Sequence, residues 1–242
     1  MGLYREQGVV LRSYKLGETD RIVHVLTPGR GKVRAVAKGV RRPGSRFGGR
    51  LESFSHVDLQ LYEGRNLDVV NQAELITSFA AVREDFALSA CASVLAEAAD
   101  RVAQEHERNV GLFLLLLDGL RALSRRPPHP SLIVDAYLLR LASIAGYHPY
   151  LEACASCGAP GPHAVFAISA GGLLCDACAP REAQPMPPAV LDLLTAFVGA
   201  EWDALPAVAA DARSRRSAGA LVSSFVTYHL GRPLRSMDLV PR

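Results

Sequence analysis

The sequence predicts an α+β chain: a small five-stranded β-barrel at the amino end, then a helical domain with a short cysteine-bearing ribbon inserted in it. Three observations predict it. Residues 7–73 break β-branched runs with Gly, Pro and Asn at short intervals, the pattern of several short strands. From Glu74 the composition turns to Ala, Leu and Glu at helical spacing. Two Cys-x-x-Cys pairs, Cys154/Cys157 and Cys175/Cys178, interrupt that helical half.

Five strands are expected, at about 7–14, 21–27, 32–38, 54–62 and 67–73, with Gly64-Arg65-Asn66 turning the last hairpin. Five short strands with a long loop after the third suit an OB-fold barrel. Alternation along the third strand sends Val33, Ala35 and Ala37 to the core and lines Lys32, Arg34, Val36 and Lys38 on the other face. In the fourth, Val57, Leu59 and Leu61 point inward and Phe54, His56, Asp58, Gln60 and Tyr62 outward.

Helices follow. Phe86, Ala90, Val94, Leu95 and Ala98 share one face of the first, in which Cys91 reads as a small buried residue. The second runs from about Val110 to Leu123 and stops at a segment holding Pro127, Pro128 and Pro130. The third spans 131–145, with Ser131 as its expected cap and Gly146 ending it. Pro187-Pro188 opens a helix to about Ala200, and Asp211 or Ser214 opens one to Leu230, ended by Gly231. The domains are expected at 1–80 and 81–242, with the ribbon at about 151–181.

The spacing of Cys154, Cys157, Cys175 and Cys178 is that of a structural zinc site, each short turn aiming two sulfurs at one tetrahedral ion. One Zn2+ per chain is expected. Gly158, Pro160, Gly161 and Pro162, then the apolar run 164–168 and Gly171-Gly172, make two knuckles joined by a hairpin. A closed four-thiolate site orders chain and leaves no position for a reacting water.

The net charge of +3 is unevenly spread. Residues 1–80 hold 13 Lys plus Arg against 8 Asp plus Glu, while the remainder holds 14 against 16. Eight cations and no acid fall within 30–50, which points to a polyanionic partner. The expected contacts are Arg12, Lys32, Arg34, Lys38, Arg41, Arg42, Arg46 and Arg50, with Arg213, Arg215 and Arg216 as a second strip. The loop 39–50 is expected to be flexible and to order along phosphates. Tyr62, with Tyr14, Phe47 and Phe54, is a candidate to stack on bases.

No stretch reads as a secretion signal or reaches the length of a membrane span, and reduced thiols in a cytoplasmic protein are the expectation. Phosphate-loop, dinucleotide, nucleophile-elbow and His-Glu-x-x-His motifs are absent, and Ala153 and Leu174 stand where a zinc deaminase needs other residues. No enzymatic activity is expected. A metal-dependent nuclease would need a carboxylate cluster that the sequence lacks. A zinc-ribbon RNA-binding factor of translation or transcription would share the basic barrel and the cysteines, and competition between structured RNA and single-stranded DNA separates it.

Residues 8–52, GVVLRSYKLGETDRIVHVLTPGRGKVRAVAKGVRRPGSRFGGRLE, resemble the amino-terminal domain of the recombination mediator family RecO. The resemblance continues in YLLRLASIAGYHPYLEACASCG (137–158) and YHLGRPLRSMDL (228–239). One departure is Leu51-Glu-Ser-Phe54, where the family has Leu-x-Pro-Phe. The resemblance implies an OB-fold, a helical domain with a cysteine zinc element, and binding to single- and double-stranded DNA. It implies annealing of complementary strands and, together with RecR, loading of RecA onto DNA covered by single-strand-binding protein. The acidic carboxyl tail of that protein is expected to dock on the helical domain, and the location to be the nucleoid.

Overall fold

The computed structural model describes residues 2–45, 47, 49–181, 183, 185–208 and 211–241. The chain forms two compact units, Met1–Arg125 and Arg126–Arg242. In the first, the five strands β1 (Leu3–Leu16), β2 (Asp20–Thr27), β3 (Gly31–Ala37), β4 (His56–Tyr62) and β5 (Asp68–Thr77) close into a barrel in the order β1-β2-β3-β5-β4. All neighbours are antiparallel except β3 and β5, whose parallel register pairs Ala35 with Asp68. This one parallel seam, bridged by the long segment after β3, is the OB-fold arrangement anticipated from the strand count.

Alternation fills the barrel. Val33, Ala35 and Ala37 of β3 and Val57, Leu59 and Leu61 of β4 lie in its core. The segment after β3 contributes Phe47 and Leu51, each 1% exposed, with Val40 packed alongside. Burial of these two large apolar side chains anchors the segment to the barrel at Phe47 and Leu51. Strand β1 departs from alternation, with Gly8–Leu11 buried in succession. A register shift between Val10 and Arg12, together with helices packed against the outside of β1, accounts for the run.

Those helices are α2 (Phe86–Val102) and α3 (Val110–Ser124), onto which the short α1 (Ala80–Glu84) packs. Asp85 caps α2 by accepting from the Leu88 amide, and Asn109 caps α3 by accepting from that of Leu112. Ala90, Cys91, Val94, Leu95 and Ala98 are buried as expected. Phe86 is not: at 77% exposed it corrects the expected face, because a first-turn side chain leans back beyond the packed part of the helix.

The second unit is built on α4 (Pro130–Ile144), in which Leu132–Leu139 is continuously buried. Its start corrects the expected Ser131 cap, since Pro130 occupies the first turn and no side chain caps it. Gly146, at φ +93°, ends α4 in the left-handed region. Around α4 pack α5 (Pro188–Gly199) and α6 (Ala212–Leu230), the latter capped by Asp211 and ended by Gly231 at φ +84°. The buried stem of Arg140 carries its guanidinium to the end of α5, where it donates to the Phe197 carbonyl at 2.8 Å and stacks on Trp202 at 4.2 Å. Between α4 and α5 lies the antiparallel hairpin β6 (Val165–Ala167) and β7 (Gly172–Leu174).

Candidate nucleic-acid interface and metal centre

The four cysteines sit at the base of the β6–β7 hairpin. Each Cys-x-x-Cys closes a tight turn: the Gly158 amide donates to the Cys154 carbonyl at 2.8 Å, and the Ala179 amide to the Cys175 carbonyl at 2.9 Å. The Ala155 amide donates to the Leu173 carbonyl at 2.7 Å, holding the first knuckle to β7. Gly172 permits a close crossing, since a Cβ there would meet the Tyr150 carbonyl oxygen at 2.4 Å. The four sulfurs lie within 4.8 Å of one another, and those of Cys157 and Cys175 are 3.7 Å apart. A tetrahedral ion with metal–sulfur bonds of about 2.3 Å separates its sulfurs by about 3.8 Å, so the cluster fits a bound metal ion.

The electrostatics lead to the same place. Backbone amides of Cys175 and Cys157 lower the Cys154 thiol to about 6. At Cys178 the largest influence, a hydrogen bond with Ser156, favours the thiolate. The surrounding sulfurs of Cys175, Cys157 and Cys154 outweigh it and push the thiol up to about 12. A fourth thiolate is opposed by the other sulfurs, and a dication removes that opposition. Among the described residues no other group of three or more His, Cys, Asp or Glu converges in this way.

The cations expected on the barrel divide into two sets. Arg12, Lys32 and Arg34 face outward from β1 and β3 but meet acids at the end of α2. The Arg12 guanidinium lies 2.6 Å from the Asp100 carboxylate, and Lys32 Nζ donates to the Asp100 carbonyl at 2.7 Å. Arg34 pairs with Glu105 at 2.7 Å. His24 completes the Asp100 cluster at 3.1 Å. Asp100 is 8% exposed; burial pushes its carboxyl up, but the His24 hydrogen bond, Lys32 and Arg12 together hold it below the usual range. The backbone joins in, with the Lys32 amide donating to the Gln104 carbonyl at 2.9 Å. On the expected cationic strip of β3, Lys32 and Arg34 are therefore half-buried and paired with acids, and Lys38 at its end is exposed.

The second set stands in the open. Lys38, Arg41, Arg42 and Arg50 are exposed on the loop that Phe47 and Leu51 pin to the barrel, and Arg46 lies outside the described residues. Arg41 reaches the Glu18 carbonyl at 2.9 Å and its own amide donates to that of Thr19, tying the loop to the β1–β2 turn. Arg213 and Arg216 are exposed and Arg215 half-buried in the first turn of α6, where their charge adds to the positive end of the helix dipole.

Of the aromatic candidates, Tyr62 (51% exposed) and Tyr14 (43%) present rings to solvent. Phe47 and Phe54 do not; both are core residues, which corrects their expected exposure. Phe54 precedes β4 and takes φ +71°, so alternation counted back from β4 does not apply to it. His56, also expected outside, is 4% exposed, covered edge-on by Phe113 of α3 at 5.8 Å.

A polar cleft of about 150 Å3, not evident from the sequence, opens beside β3 between Tyr4, Arg30, Arg65 and Glu105. Arg30 stacks on Tyr4 at 3.8 Å and pairs with Glu63 at 3.3 Å, and Tyr4 donates to Asp68. Arg30, Lys32 and Arg34 of this cleft fall in the 30–50 run, whereas Arg65 and the acidic partners do not. Among the described residues no helix is long and apolar enough to cross a membrane.

Two family models cover nearly the whole chain: "Recombination protein O N terminal" over residues 1–79 and "Recombination protein O C terminal" over 83–238. Proteins named DNA repair protein RecO are similar along their full length. That of a Nocardioides species is 49% identical over 99% of this chain and 100% of its own. Those of Thermobifida fusca and Frankia casuarinae are 44% and 42% identical over 100% of both chains.

Proposed function

The chain belongs to the RecO family of DNA repair and recombination proteins, and from that premise we propose that it is a non-enzymatic recombination mediator that binds DNA through its barrel loop. One observation carries this reading: Lys38, Arg41, Arg42 and Arg50 are exposed on a loop whose apolar residues anchor it in the barrel core. A pinned cationic ridge neutralises phosphates, releases counterions and reads no base edges. It therefore holds single- and double-stranded DNA without strong sequence preference. Lowering the repulsion between two backbones while bases stay free promotes annealing of complementary strands. Arg46 belongs to the same loop in sequence, and Arg213, Arg215 and Arg216 form a second contact in the helical unit. Tyr62 lies at the end of β4 as a ring for stacking.

Arg12, Lys32 and Arg34 take part only when DNA displaces Asp100 and Glu105 from them. The metal at Cys154, Cys157, Cys175 and Cys178 is zinc, one per chain, bracing the hairpin. In this reading the functional division falls at 80/81, in the interval between the family models over 1–79 and 83–238, while the compact structural units divide at Arg125/Arg126. Partners in this reading are RecR, the acidic carboxyl tail of single-strand-binding protein and, indirectly, RecA. The setting is the cytoplasmic nucleoid.

Fluorescence anisotropy with a labelled oligonucleotide across a salt series tests the proposal. With about five loop cations on single-stranded DNA, log affinity should fall against log salt with a slope near −3.5. Changing Arg41, Arg42 and Arg46 together to alanine should flatten that slope by about 2. A flat wild-type response overturns electrostatic binding, and a triple variant with unchanged affinity moves the site off the loop. Annealing of oligonucleotides coated with single-strand-binding protein, with and without RecR, tests the mediator role.

A further inference from the structure

Loop cations account for phosphates, but the rings best placed for bases lie in the other unit. Tyr147 follows the end of α4 and stacks on His229 of α6, with ring centroids 4.8 Å apart and planes 29° from parallel. His229 also meets Phe225 at 4.4 Å and, edge-on, Tyr228 at 5.0 Å. Phe225 is 1% exposed and in turn contacts Phe166 of the hairpin at 6.0 Å, so the cluster is rooted in the core. Its outer members are open: Tyr147 is 41% and Tyr228 59% exposed. A tyrosine ring held by aromatic neighbours while facing solvent is pre-ordered, so a base stacking on it costs little further rotamer entropy.

The surrounding charge selects the occupant. The described segment after α6, residues 231–241, holds Arg232 and Arg235 against a single acid, Asp238. Arg232 comes directly after the Gly231 that ends α6, four residues beyond Tyr228, and Arg232 and Arg235 are exposed. Rings supply stacking and the guanidinium groups supply phosphate attraction, the combination that binds unpaired nucleotides. Duplex DNA keeps its base faces stacked internally and gains nothing from the rings.

We propose that Tyr147 and Tyr228, held in place by His229, form a stacking platform for the bases of single-stranded DNA, a site separate from the barrel loop. The proposal rests on the DNA-binding reading above and adds to it a preference for unpaired strands seated in the helical unit. In annealing, the platform holds one strand by its bases until a complement competes for them.

Photocrosslinking of the full chain to an oligonucleotide bearing 5-iododeoxyuridine, followed by peptide mapping, tests it directly. Crosslinks at Tyr147 or Tyr228 are expected. In parallel, Tyr147→Ala and Tyr228→Ala should each weaken single-stranded binding about tenfold and leave duplex affinity unchanged, while Tyr147→Phe and Tyr228→Phe retain it. Crosslinks confined to residues outside 147 and 228–229 overturn the platform, even if the alanine variants fold poorly. Equal losses on single and double strands also overturn it. Wild-type protein that binds no DNA removes the DNA-binding reading itself, and the platform with it. Wild-type protein that binds DNA without these crosslinks removes the platform alone.

Discussion

His56 shows how much a single residue's environment depends on a partner distant in sequence. It sits on the outer side of β4, yet α3 covers it, and its Nε2 pairs with the Gln7 amide oxygen at 3.1 Å while Nδ1 is buried without a partner. Burial first, and the Arg121 charge second, lower its pKa below 6.5. A base whose folded pKa is depressed binds protons in the unfolded chain first, so stability is complete above about pH 6.5 and declines as pH falls through that value. Thermal melts between pH 7.5 and 5 should show a loss that His56→Gln diminishes; equal slopes for both proteins would contradict the assignment. Asp100 offers the complementary test. Asp100→Asn deprives Arg12 and Lys32 of their counter-charge, so DNA affinity should rise and its salt dependence steepen. Unchanged affinity would assign both cations to internal roles. Neither residue's role was legible in sequence: Lys32 and Asp100 are 68 positions apart, Arg34 and Glu105 71. The 30–50 run looked free of acids because its acids come from another element.

At the scale of elements the sequence was far more informative, for local reasons. Strand positions follow from period-two alternation, and β2, β3 and β4 begin and end within two residues of expectation. Capping chemistry placed the limits of α6, and Gly146 and Gly231 ended helices where left-handed backbone is required. The helix α1 was not legible: five residues hold too few turns for periodicity, and its cap is Phe79 in the left-handed region. The metal site followed from cysteine spacing, and the hairpin between the pairs from the turn formers at 158–162, the apolar run 164–168 and Gly171-Gly172. Stripping the metal with a chelator should therefore lower the melting temperature of the second unit and open residues 151–181 to protease, while the barrel keeps its stability. Zinc-free protein with an unchanged melt would contradict the bracing role.

For the molecule as a whole, charge and aromatic surface are shared out between two units: cations on a pinned loop in one, tyrosines beside arginines in the other. The uneven distribution of charge along the chain was legible from composition. The ring cluster was not, because Tyr147 and His229 are neighbours only after α4 and α6 pack. The barrel's closing seam carries one more consequence. β1 pairs with both β2 and β4, and the ring closes only when β5 joins β3. During synthesis, β1 to β3 emerge as an open sheet with two unpaired edges, and they wait for some forty further residues before closure. An open apolar edge invites pairing with another nascent chain. The segment emerging directly behind that edge is the arginine-rich loop, whose like charges repel a second copy. The charges proposed to meet DNA in the finished protein thus double as gatekeepers while the chain is still being made.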